Sequence, residues 1–118
     1  MKKILLFLII FPGFFSCDIV DYFLPNSIPV ANAGPDQSVS LGQKVVLDGS
    51  KSYDSDGDKI SYLWHWLVSP DGSQALFYDY NKVSCYITPD LPGTYIILLV
   101  VNDKKEDSAP DKVIIHVN

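Results

Sequence analysis

Ser52-Tyr53-Asp54-Ser55-Asp56-Gly57-Asp58, followed by Ile60-Ser61-Tyr62-Leu63-Trp64-His65-Trp66-Leu67, is the stretch that decides the fold. Its first half is turn chemistry: Asp and Ser side chains bond neighbouring amides, and glycine reaches backbone conformations closed to other residues. Its second half alternates with a period of two, which predicts a strand. Tyr62, Trp64 and Trp66 share one side, Leu63, His65 and Leu67 the other. Two indoles and a phenol on one side of a strand predict an aromatic inward face, with Trp64 at its centre.

The same signature repeats on either side. Turn signals stand at Ala33-Gly34-Pro35, Leu41-Gly42, Ser69-Pro70-Asp71-Gly72 and Leu91-Pro92-Gly93. Between them, short alternating segments pair Val39 with Leu41, Val45 with Leu47, and Val83 with Cys85 and Ile87. Longer ones align Tyr95, Ile97, Leu99 and Val101, then Val113, Ile115 and Val117. No stretch from Val30 onward keeps a helical period over three turns. Six or seven short strands over residues 30–118 predict an all-β, two-sheet sandwich. Its apolar inward set fills one core without a metal or a disulfide.

The first sixteen residues read as an address. Met1-Lys2-Lys3 is basic, Ile4 through Phe11 is an unbroken apolar run, and Pro12-Gly13 breaks it before Phe14-Phe15-Ser16-Cys17. That order is an export signal, and the run is short of the about 20 residues a spanning helix needs. Ser16-Cys17 resembles the cleavage site of bacterial lipoproteins, although Phe14 and Phe15 depart from the usual Leu and small residue. The resemblance implies residues 1–16 as signal peptide and Cys17 as a lipidated N-terminus, with residues 17–29 a tether broken by Pro25 and Pro29. The expected location is then the bacterial envelope, held at the membrane through the lipid. A secreted protein with Cys17 paired to Cys85 is the open alternative; packing is the leading role for Cys85, on the inward side of its strand.

Residues 29 to 118 also resemble, in order, the PKD (polycystic kidney disease) domain, an immunoglobulin-like sandwich. The resemblance rests on Pro29-Val30-Ala31-Asn32-Ala33-Gly34-Pro35-Asp36, on Val45-Val46-Leu47-Asp48-Gly49-Ser50, and on the 52–64 run quoted first. Pro92-Gly93-Thr94-Tyr95 leading to Val101-Asn102-Asp103, and Ser108-Ala109-Pro110-Asp111 into Val113, complete it. The longer, less acidic Trp66-Leu67-Val68-Ser69-Pro70-Asp71-Gly72 departs from the family pattern. The resemblance implies that Trp64 lies between the sheets and that Tyr95 forms a tyrosine corner. In Asp48-Gly49-Ser50 the glycine is expected to supply positive φ and the Asp to cap the turn.

Asp54, Asp56 and Asp58 alternate like the oxygens of a Ca²⁺ loop. It is not an EF-hand, because the twelfth position from Asp54 is His65 rather than Glu. The resemblance implies a Ca²⁺ site drawn from Asn32, Asp54, Asp56 and Asp103; the plainer alternative is a solvated acidic turn. No cofactor is required. Catalytic motifs are lacking, and the two histidines, His65 and His116, have no nucleophile beside them at a turn. Acids outnumber Lys and Arg by 14 to 9, which opposes binding to nucleic acid.

If the aromatic side of 60–67 points inward, Leu63, His65 and Leu67 point outward, with Ile96, Leu98, Val100, Ile114 and His116 on neighbouring strands. That is an apolar patch where small polar residues are usual, and such patches mark contact surfaces. The expected function is a non-catalytic interaction module whose partner is an envelope protein, a glycan or a second copy. A structural spacer, an envelope-complex subunit and a substrate-gripping accessory to a hydrolase are the alternatives.

Overall fold

The computed structural model describes residues 25–118. The expected signal peptide and Cys17 lie outside the described residues. Seven strands form, and there is no helix among the described residues. They are β1 (Gln37–Val39), β2 (Val45–Asp48), β3 (Ser61–Val68), β4 (Phe77–Tyr78), β5 (Ser84–Ile87), β6 (Gly93–Asn102) and β7 (Asp111–Val117).

Two sheets enclose one core. The larger runs β1-β7-β6-β3 and the smaller β2-β5-β4. β1 pairs in parallel with β7, and the other pairs are antiparallel. The expected alternation is clearest in β6, where Tyr95, Ile97, Leu99 and Val101 are each 0% exposed. Val113 and Ile115 of β7, Val45 and Leu47 of β2, and Cys85 and Ile87 of β5 meet them from both sheets. Trp64 sits among them, 1% exposed, and its indole N–H donates to the carbonyl of Lys82 at 2.9 Å. A buried indole therefore keeps its one polar group bonded.

Some expectations need correction. Val83 is 39% exposed, because β5 begins only at Ser84 and the Val83 carbonyl is used by the Gly49 N–H at 2.8 Å. Leu41 is 48% exposed, because β1 ends at Val39 and the chain turns there. Gly49 does not adopt positive φ. It is a glycine because a Cβ there would lie 2.9 Å from Leu99 Cδ2 and 3.2 Å from Trp64 Cζ2. Asp48 does cap its turn, accepting from the Ser50 N–H at 2.9 Å. Gly57 holds φ of +78°, as its turn requires.

Cys85 is a buried free thiol, 1% exposed. Burial pushes its pKa up to about 12, and Asp79 adds to the effect. The thiol packs as a small apolar group.

Candidate functional site

The register of the four-stranded sheet assembles its outer face. Leu63 lies opposite Val100, and His65 opposite Leu98, which faces Lys112 on its other side. Val68 lies opposite Ile96, which faces Ile114. A β-bulge between Trp66 and Val68 sharpens this face. Trp66 pairs with Ile97 and Val68 with Ile96, so Leu67 is the inserted residue. The bulge turns two consecutive apolar side chains to solvent: Leu67 is 56% exposed and Val68 43%. Ile96, Leu98, Val100 and Ile114 are half-buried beside them. The outward set read from the sequence thus lies on one sheet face, its apolar members interrupted by His65 on β3 and flanked on β7 by Lys112 and His116. Val68 is the member that a strict period of two hides.

The two histidines do not meet. His65 lies opposite Leu98 on β3, whereas His116 lies opposite Thr94 on β7, four residues away along β6. His116 Nδ1 stands 3.4 Å from Thr94 Oγ1.

At one pole of the sandwich the acidic loop closes on itself. One carboxylate oxygen each from Asp54, Asp56 and Asp58 lie within 4.8 Å of one another. Oxygens that share one Ca²⁺ each stand about 2.3–2.6 Å from it, so this spread suits a single cation. Asp54 Oδ1 accepts from the Asp56 N–H at 2.7 Å, which fixes the loop. Asp54 Oδ2, Asp58 Oδ2 and Asn26 Oδ1 are shielded from solvent and receive no hydrogen bond among the described residues. Asp103, 3% exposed, completes the pole. It accepts from the Lys105 and Glu106 amides, each at 2.8 Å, and from Asn26 Nδ2 at 2.8 Å.

These contacts split the carboxylates. The Glu106 amide, with help from Asn26 and Lys105, holds Asp103 well below the usual carboxylate range. Burial pushes Asp54 up, and the neighbouring Asp103 and Asp58 add to it. The signs of linkage are opposite. Asp103 contributes stability above the ordinary carboxylate range, and it is lost as pH falls through its lowered value. Asp54 contributes below the ordinary range, and that is lost as pH rises.

Asn32 is bonded within its own turn. Its Oδ1 caps the Gly34 N–H at 2.9 Å, and it lines a surface hollow with Asp48 and Lys51. The opening segment contributes Asn26, and Ser27 N–H donates to Asp56 Oδ2 at 2.6 Å. Both residues fall in the stretch expected to be a tether, yet they are bonded to the loops. No local pattern around Asn26 announces this, because its partners lie 77 and 80 residues away.

Tyr95 makes the expected corner at the opposite pole. Its hydroxyl donates to the Leu91 carbonyl at 2.8 Å and accepts from the Leu91 N–H at 3.1 Å. Asp90 buttresses it by accepting from Ser73 Oγ at 2.6 Å and from the Gln74 N–H at 2.7 Å.

Two sheets ordered β1-β7-β6-β3 and β2-β5-β4, with a central Trp and a tyrosine corner, define an immunoglobulin-like sandwich of the PKD type. The chain belongs to the family described as K319L-like, PKD domain, which matches residues 33–117. It is 40% identical over 81 residues to the dyslexia-associated protein KIAA0319-like protein of Mus musculus, covering 68% of this chain and 7% of that protein. The chain therefore spans under a tenth of the length of that relative. The solution structure of the PKD domain from KIAA 1837 protein superposes with a TM-score of 0.63 at 35% identity, covering 80% of this chain and 91% of that one. A nucleoside hydrolase-related hypothetical protein from Saccharophagus degradans, described as associated with carbohydrate metabolism, superposes with a TM-score of 0.69. It is 26% identical, and the match covers 86% of this chain and 29% of that one.

Proposed function

We propose that the chain is a non-catalytic interaction module, lipid-anchored through Cys17 at the bacterial envelope, which binds an envelope protein or glycan. The observation that carries this reading is the apolar strip Leu63, Leu67, Val68, Ile96, Leu98, Val100 and Ile114 on a sheet face with no second layer over it among the described residues. Membership of the PKD family supports binding rather than catalysis. The basic-apolar-Ser-Cys order supports the anchor.

The test is a triple variant, Ile96→Thr with Leu98→Thr and Val100→Thr. Threonine keeps β propensity while removing most of the apolar surface. Capture of the envelope partner, or dimerisation, should fall at least tenfold, with the fold retained by circular dichroism. Unchanged capture and an unchanged oligomeric state overturn the role of this face. The anchor is read separately: the processed N-terminal peptide should carry acyl mass on Cys17, and a bare Cys17 overturns it.

The acidic pole supports a Ca²⁺ site formed by Asp54, Asp56 and Asp58, with Asp103 and Asn26 behind them. Carbonyls and water would complete the six to eight oxygens Ca²⁺ takes. Ca²⁺ at a few times its Kd adds about 1 kcal/mol to stability. For a domain of this size that raises Tm by about 4–8 °C. Chelator-treated protein should show this rise with millimolar Ca²⁺, and an Asp56→Asn/Asp58→Asn variant should not. No shift in the parent leaves a solvated acidic turn.

A further inference from the structure

The outer face of the three-stranded sheet carries a column of side chains unrelated to the apolar strip. Lys44 Nζ lies 4.0 Å from the centroid of the Tyr86 ring. On the opposite side of Tyr86 stands Tyr78, its cross-strand partner, with ring centroids 4.8 Å apart and planes inclined by only 12°. The column crosses from Lys44, the residue before β2, to β5 and then β4, and stops there because β4 is the end strand. Tyr86 is thereby engaged from both sides, by an ammonium and a phenol. Tyr78 has a stacking partner on one side only among the described residues and is 46% exposed. Leu76, two residues earlier and just before β4, is 64% exposed. Neither tyrosine hydroxyl makes a hydrogen bond among the described residues.

We propose that the bare side of Tyr78 is a stacking site for a pyranose ring of a neutral glycan. A phenol offers a rigid apolar surface with a polar tip, at low conformational cost. A pyranose matches both features: its axial C–H groups lie against the ring, and its hydroxyls meet the free tyrosine O–H groups. Other occupants match less well. A polyanion meets a chain with 14 acids against 9 Lys and Arg. A guanidinium or ammonium gains most where a free carboxylate stands beside the ring. The acid next to Tyr78 in the chain, Asp79, is already paired with Lys82 at 3.5 Å.

The site is independent of the apolar strip, which lies on the other sheet, so the two readings fail separately. The experiment is native electrophoresis of the full chain in gels containing soluble xylan, mixed-linkage β-glucan or galactomannan. At least one polysaccharide should retard the parent, with a Kd in the range a single stacked ring gives, about millimolar. Tyr78→Ala should lose that retardation, Tyr78→Phe should keep most of it, and the Ile96/Leu98/Val100 triple variant should keep all of it. Ring resonances of Tyr78 in the intact parent should shift when an oligosaccharide of the retarding polymer is added, which reads the site without any mutation. Equal retardation of Tyr78→Ala and parent, unshifted Tyr78 resonances, or no retardation by any of the three polysaccharides overturns the proposal.

Discussion

Trp64→Ala should unfold the domain at or near ambient temperature. The indole is 1% exposed at the meeting point of both sheets, so its removal loses transfer energy and leaves a cavity that the flanking strands cannot close. Such truncations cost about 3–5 kcal/mol. The substitution also strands the Lys82 carbonyl, which now accepts the indole N–H at 2.9 Å. Against a total stability of about 5–15 kcal/mol for a small domain, little remains. Urea denaturation should place the loss at about 4 kcal/mol. Trp64→Phe should cost less, since it keeps most of the packing while losing the hydrogen bond, about 1 kcal/mol, and part of the ring volume. A Trp64→Ala midpoint equal to the parent's would remove the indole from the core.

Gly49→Val is expected to be comparably damaging, for a steric reason. The first added carbon already meets Leu99 Cδ2 at 2.9 Å, Trp64 Cζ2 at 3.2 Å and the Val83 carbonyl oxygen at 3.2 Å. Overpacking a close-packed interior costs about 1–3 kcal/mol, and two further methyls push toward the upper end. The Gly49 N–H is bonded to the Val83 carbonyl at 2.8 Å, so the backbone cannot back away without losing that bond. Gly42→Ala is the control. Its φ is +83° with nothing within 4 Å, and it should lose only the left-handed penalty of about 1–2 kcal/mol. Equal denaturation midpoints for Gly49→Val and the parent would contradict the close approach.

The contrast between these glycines shows what the sequence makes legible. Gly42 and Gly57 follow turn chemistry, which is local, so reading it from neighbours succeeds. Gly49 sits in an equally turn-like Asp-Gly-Ser, but its reason lies across the core in Leu99 and Trp64. Strand alternation was legible where strands are long, as in β3 and β6. It failed at Leu41, where β1 ends two residues before the apolar pattern does, and at Val83, where β5 begins one residue after it. β4, only Phe77–Tyr78, carries too few residues to show a period and was missed. The outward apolar strip was readable because its register follows from alternation alone, except at the bulge that exposes Val68. In the acidic pole the Asp54-Asp56-Asp58 repeat was visible. The engagement of Asn26 at this pole was not, because its partners Asp103 and Glu106 lie 77 and 80 residues away along the chain.

The parallel pairing of β1 with β7 determines how the domain would resist being pulled from its two ends. The described chain begins beside Asp103, at the end of β6, and finishes at Asn118, whose N–H bonds the Val39 carbonyl at 3.0 Å near the opposite pole. A pull applied between residue 25 and residue 118 would therefore run lengthwise through the sandwich. β1 is drawn from its first residue and β7 from its last. In a parallel pair those ends lie apart, so the Gln37–Ile115, Ser38–His116 and Val39–Val117 rungs are strained together in shear. An antiparallel pair pulled from adjacent ends would open like a zip, one rung at a time; here the rungs must give way at once.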